Sequence, residues 1–236
     1  MAEVLITLGI IGIVAAMTLP QLIKNYQAKV YETAFKKAYS NLSKAYLMTQ
    51  NELGVTNLRK TYATYDVESG TYPLAKEFEK VFYKQLGTGV VAEKYEVKNY
   101  NNSSSFYTVD IDSTAGWEIV RPQRILADGS SVGIKISGAN IHFYVDTNGP
   151  YQKPNRLGFD IFAFGVMDDQ DIIKPYKQHR LYTEEELENQ PSPNSAGLPC
   201  SVHSNQKYNG YGCAYYAIND INPDDNKKSY WKNLPK

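Results

Sequence analysis

Residues 1–30 read MAEVLITLGIIGIVAAMTLPQLIKNYQAKV. From Val4 to Leu19 no charged side chain occurs, and the apolar character continues to Ile23, past Pro20 and Gln21. At ~1.5 Å per residue, roughly 20 such positions reach across a ~30 Å hydrocarbon layer. Gly9, Gly12, Ala15 and Ala16 set small side chains among Ile, Leu and Val, a mixture that lets helices approach closely in a membrane or an apolar bundle. A buried helix of a soluble core is seldom this long and uncharged. A cleavable secretory signal would open on Lys or Arg and end at a small-x-small site. Membrane insertion is therefore the stronger reading, with one carboxylate, Glu3, at the lip of the run.

Pro20 removes one backbone hydrogen bond and should bend or loosen the helix, yet helical patterning resumes beyond it. Leu22, Tyr26, Val30, Phe35, Ala38, Leu42, Ala45, Tyr46 and Thr49 recur at three-to-five-residue steps, with Lys24, Lys29, Lys36, Lys37 and Lys44 mostly on other faces. Gly54 is placed to cap the C-terminus. The spacing predicts one helix of roughly 50 residues, ~75 Å long. Residues 1–23 are apolar all round and need lipid or other helices; residues 24–54 are amphipathic and need a globular domain, residues 55–236, to lean on.

In that domain YPLAKEFEKVFYKQLG (72–87) predicts a short helix with Leu74, Phe78, Val81 and Phe82 on one face. Short β-prone runs follow at 105–111, 117–120, 124–136, 140–149 and 159–166. Asp128-Gly129 and Asn148-Gly149, set between apolar alternations, are strong hairpin signals. The expected fold class is α+β, a long N-terminal helix packed on an antiparallel β-meander of four or five strands. NYNNSSS (99–105) and PSPNSAGLP (191–199) read as loops, the former flexible. TEEELENQ (183–190) reads as a short helix with Thr183 and Glu186 in capping-box spacing. CAYYAI (213–218) fits strand or helix.

The 25 basic and 25 acidic residues balance, which gives no footprint for nucleic acid. The 20 tyrosines, against 8 Phe and 2 Trp, suit half-buried sheets and protein contact surfaces. Cys200 and Cys213 fit a single disulfide better than a metal site, which normally takes four ligands; two reduced thiols are the alternative. A disulfide here would place the domain outside the cytoplasm.

The segment AEVLITLGIIGIVAAMTLPQLI closely resembles the N-terminus of type IV pilins and type II secretion pseudopilins. The resemblance covers about the first 25 residues, roughly a tenth of the chain. It aligns Glu3 with the family's glutamate, Gly12 with a glycine of the apolar helix and Pro20 with the helix-bending proline. It implies a pilin-like architecture, in which a C-terminal disulfide-closed loop is frequent. It also implies a structural subunit held singly spanning the inner membrane, its globular domain extracytoplasmic, before entering a periplasmic or extracellular filament. The implied partners are further copies and other pilin-like subunits, the membrane, the prepilin peptidase and the assembly platform. In that family Glu3 would attract the free N-terminal amine of a neighbour as a subunit docks. Major pilin, minor pilin and pseudopilin share these features. A non-polymerising membrane-tethered binding module is the alternative.

The family's basic leader, its cleavage glycine and the Phe-Thr pair are absent from the sequence, and Met1 stands where the family has Leu. Lys24 and Lys29 lie on the far side of the apolar run, which by itself would leave the domain cytoplasmic; an upstream basic leader would reverse that. The expectation is a start codon assigned too far downstream, with a trimmed sequence as the other explanation.

One stretch, VDTNGPYQKPNRLGFDIF (145–162), has the density of a site. Asp146, Asn148, Asn155 and Asp160 offer hard oxygen ligands among turn-forming Gly149, Pro150, Pro154 and Gly158, a combination calcium favours. Asx turns stabilising an ordered loop explain the same residues, and both readings stay open. The histidines at 142, 179 and 203 are scattered, no HExxH, CxxC, GxSxG or Walker pattern occurs, and Asp168/Asp169 and Asp224/Asp225 read as solvated turns. No enzymatic activity is expected. Genomic sequencing upstream of Met1 should reveal an in-frame basic leader ending in Gly-Phe-Thr; a stop codon without one would count against the family resemblance.

Overall fold

The computed structural model describes residues 2–87, 89–108, 124–180, 182–189 and 197–235. Helix α1 runs from Ala2 to Leu53, with Pro20 inside it without ending it. Its first part is long and apolar enough to cross a membrane. Ile6, Ile10, Ile13, Met17 and Ile23 are all exposed there. Gly54 ends the helix at φ +66°, a conformation open to glycine. Its N–H donates to the Asn51 carbonyl at 3.3 Å and the Val55 N–H to Gln50 at 3.2 Å, the paired bonds of a Schellman cap.

Helices α2 (Leu58–Tyr62) and α3 (Ala75–Gln85) follow. The strands are β1 (Val90–Val91), β2 (Glu96–Lys98), β3 (Ser105–Tyr107), β4 (Arg124–Ile125), β5 (Ser131–Ser137), β6 (Asn140–Asp146), β7 (Ile161–Val166) and β8 (Lys174–Pro175). The six-stranded sheet is ordered β1-β4-β5-β6-β7-β8, and its paired neighbours are all antiparallel. The expected α+β architecture, a long helix on an antiparallel meander, is the one observed. Asp128-Gly129 turns the β4–β5 hairpin, as expected. Gly138 and Ala139, both at positive φ, turn β5 into β6 with Ser137 opposite Asn140, the left-handed pair a two-residue hairpin demands.

Alternation sends the two sides of each strand to different partners. Ile141, Phe143, Val145, Phe162, Phe164 and Val166 face the main core with α1 and α3. Tyr144, Ile161 and Ala163 face a second cluster with Val97, Phe106, Leu157, Tyr176, Tyr208 and Tyr211. The Phe35 ring lies 4.5 Å from Phe162 and 5.6 Å from Trp231 between centroids, so α1 meets both the sheet and the C-terminal tail. There α5 (Cys213–Asn219) is a helix, which settles the strand-or-helix ambiguity of 213–218. Helix α4 (Glu184–Glu188) carries the expected capping box, with the Glu186 N–H reaching Thr183 Oγ1 and the Thr183 N–H reaching Glu186 Oε2.

Several expectations are corrected. Leu22, Tyr26 and Val30 are exposed, and cover of α1 begins at Ala28. Leu74 precedes α3 and is exposed, while Tyr83 is buried in its stead. Of the 105–111 run, Ser105–Tyr107 pairs with β2 in a separate two-stranded sheet, because Phe106 is drawn to the second cluster; 109–111 and the strand expected at 117–120 lie outside the described residues. NYNNSSS is an ordered turn, with Asn99 and Tyr100 fully buried and the Asn99 N–H bonded to the Ser104 carbonyl. Asn148-Gly149 is not a hairpin turn but opens the long connection from β6 to β7.

One buried carboxylate fastens helix to sheet. Asp171 accepts from the Tyr46 hydroxyl at 2.8 Å, Gln50 Nε2 at 2.8 Å and the N–H groups of Leu58 and Arg59 at 2.7 and 2.9 Å. Asp171→Ala strands these donors and should destabilise the domain by about 3 kcal/mol, measured by urea unfolding; a loss under about 1 kcal/mol would show that water replaces the carboxylate freely.

Candidate functional site

The residues expected to serve assembly lie on α1. Glu3 falls in its first turn, its side chain outside the described set. Gly9 and Gly12 have nothing within 4 Å of where a Cβ would stand, so packing within this chain does not require their smallness. Cys200 and Cys213 form the expected disulfide, their Cα atoms 5.1 Å apart. It joins the segment before α5 to the first residue of that helix, and both cysteines are fully buried in the main core.

The structure brings together the four oxygen-bearing residues singled out in 145–162. Asp146 is the last residue of β6 and Asp160 immediately precedes β7, while Asp146 stands opposite Ile161 in the ladder. The connection therefore returns to its starting point, and the Thr147 N–H donates to the Asp160 carbonyl at 2.8 Å. Gly149 sits at φ +79°, where an added Cβ would meet the Gly129 carbonyl oxygen at 1.9 Å; only glycine lets the connection pass so close to the β4–β5 turn.

Both carboxylates are fully buried. Asp146 accepts from the Tyr95 hydroxyl at 2.9 Å and from the Gly149 and Asn148 N–H groups at 2.8 and 3.3 Å. Asp160 accepts from the Arg156 and Asn155 N–H groups at 2.6 and 2.9 Å. Asn155 Nδ2 donates to the Pro150 carbonyl at 3.1 Å and Asn148 Nδ2 to that of Lys153 at 3.3 Å. The Arg156 guanidinium reaches the carbonyls of Asn99 and Tyr100 and lies 4.0 Å from the Phe159 ring centre. Burial pushes both carboxyl groups above the usual carboxylate range, Asp160 further because the charge of Asp146 faces it.

The Asx-turn reading accounts for part of this loop, since Asp146 and Asp160 do cap its N–H groups. Tyr95 and Asp171, neither singled out in the sequence, make some of the most telling bonds; the charged pattern around each is local and ordinary, and their partners lie far away in sequence. The two acidic pairs are more than solvated turns. Asp168 holds Lys174, and Asp169 holds Arg59 and Lys60. Asp224 accepts from Ser201 Oγ and the Val202 N–H beside the disulfide. His142 is depressed to about 4 by burial and contacts the Tyr176 hydroxyl. No family model, curated protein or solved structure matches this chain.

A carboxyl group whose pKa is raised by folding binds protons more tightly when folded, so stability falls as pH rises through the raised value. His142 acts oppositely, but only below the ordinary histidine pKa of about 6.5. In chelator-containing buffer, the melting temperature should fall between about pH 6.5 and 8.5, and Asp160→Asn should flatten that decline. An unchanged slope in the variant would assign the effect elsewhere.

Proposed function

We propose that this chain is a structural subunit, pilin-like or pseudopilin, of an extracytoplasmic filament of the type IV pilus or type II secretion kind, assembling through the first part of α1. The observation that carries the reading is the division of one unbroken helix. Before Ala28 its large apolar side chains, among the described residues, are exposed; from there on the helix is built into a domain core. An apolar surface of that length needs lipid or other helices, and a continuous helix lets one element take lipid first and neighbouring copies later. Gly9 and Gly12, unused by internal packing, would allow close helix approach in either setting.

Glu3 gives the proposal its specificity. A carboxylate deep in hydrocarbon costs about 2.5–3.5 kcal/mol on insertion scales, whereas near the membrane face it stays solvated and can receive the amine of an adjacent subunit. The buried disulfide fits a domain exposed to an oxidising compartment.

Glu3→Leu should leave the protein in the membrane fraction and remove it from sheared surface filaments seen by electron microscopy with antibody labelling. Filament yield equal to wild type would refute the docking role. A wild-type chain found in the membrane and never in filaments would support the membrane-tethered binding module.

A further inference from the structure

We propose that the end of the domain from which α1 emerges is a membrane-surface contact, where Lys24, Lys29 and Lys153, with the phenols of Tyr26 and Tyr151, rest on the phosphate headgroups of anionic lipids. The inference rests on α1 spanning a bilayer and not on polymerisation.

The first observation is which end of the domain adjoins the apolar part of α1. The helix runs alongside β7 in the same direction. Ring centroids lie 6.3 Å apart for Tyr31 and Phe159, 4.5 Å for Phe35 and Phe162, and 5.3 Å for Tyr39 and Phe164. Further along, the Tyr46 hydroxyl reaches Asp171, past the far end of the strand. The β6–β7 connection, which precedes β7, therefore stands at the end where α1 leaves the domain. In that connection Tyr151 is 77% exposed, and Gln152 and Lys153 beside it are exposed too.

The second observation is the shortness of the link. The uncovered apolar run ends at Ile23 and cover of α1 begins at Ala28, with unbroken helix between them. Five helical residues rise ~7.5 Å, less than the ~8–10 Å over which salt screens a surface charge. No loop intervenes to let the domain drift away, so its lower end is held within reach of the headgroups.

The side chains in this band suit that setting. Tyr26 is 70% exposed, and Lys24 and Lys29 are exposed. A phenol offers an apolar ring and a polar tip, and a lysine can lay its stem against lipid with the ammonium among phosphates. Among the described residues Lys24 and Lys153 form no ion pair, while Lys29 shares Glu32 with Lys36. Asp146 and Asp160, the acidic residues of the same connection, are buried. Positive charge is thus what the band and the connection present to a surface, and each lysine near an anionic membrane favours contact about fivefold.

The test uses the full chain in vesicles. Both native cysteines are joined in the disulfide, so Gln152→Cys and Gln170→Cys each supply one reactive thiol, at opposite ends of β7 and both exposed. Each is labelled with a fluorophore, and insertion is verified by flotation that resists alkaline extraction. In phosphatidylcholine containing about 30% phosphatidylglycerol and a headgroup-nitroxide lipid, the label at 152 should be quenched at least about threefold more than that at 170. Pure phosphatidylcholine, or about 0.5 M salt, should remove most of that difference. Combining Lys24→Gln, Lys29→Gln and Lys153→Gln should do the same. An inserted chain quenched equally at both positions would overturn the contact, as would quenching at 152 that ignores lipid charge. A chain that fails to insert would overturn the contact and the membrane anchor together, and flotation tells that failure from the other two.

Discussion

The contact of the Phe35 face of α1 with the aromatic side of the sheet is the constraint on which the rest of the domain depends. Phe35 touches Phe162, Phe164 and Trp231, Tyr39 stacks on Phe164, and Tyr46 meets Phe143 and Phe78. Three segments distant in sequence, the middle of the helix, the central strands and the C-terminal tail, thus share one apolar interior. Large aromatic side chains bury much area each and favour edge-on and offset contacts, so a few of them can fix the angle between helix and sheet. The same contact fixes where the helix leaves the domain, and therefore how its apolar beginning projects.

Polar groups in this interior fall into two kinds. Asp171 meets four donors from α1 and the start of α2, and so acts as a clasp between elements that apolar packing has already brought close. Asp146 and Asp160 have donors too, but their charges oppose one another while nearby acceptors go unmet. A satisfied network adds rigidity, whereas an unsatisfied one in low dielectric is costly and so points to function or to a missing partner. The two networks lie at opposite ends of β7, one holding the helix and the other closing the β6–β7 connection.

Legibility in the sequence followed the range of the forces involved. The apolar run at 4–23, the amphipathic pattern from Phe35 to Thr49, the Gly54 cap, the Asp128-Gly129 hairpin and the Thr183–Glu186 capping box all concern neighbours a few residues apart, and all were readable. The second covered face of the sheet was not, because Phe106, Tyr144, Tyr176 and Tyr211 belong to different segments and their letters fit an exposed surface equally well. Asn148-Gly149 misled for a related reason. The dipeptide permits a tight turn, but Asp146 and Asp160 hold the chain in a longer excursion.

The sequence by itself therefore determined the long helix, its division into a lipid-like half and a domain-facing half, the antiparallel strands and the oxygen-rich composition of the 145–162 stretch. Only the tertiary structure decided that Asp146 and Asp160 are both buried where the β6–β7 connection closes, that Asp171 clasps α1, and that the tail covers Phe35. A carboxylate's environment is set by what surrounds it in space. Burial and charge proximity act through distance and dielectric, and those are fixed by the fold as a whole.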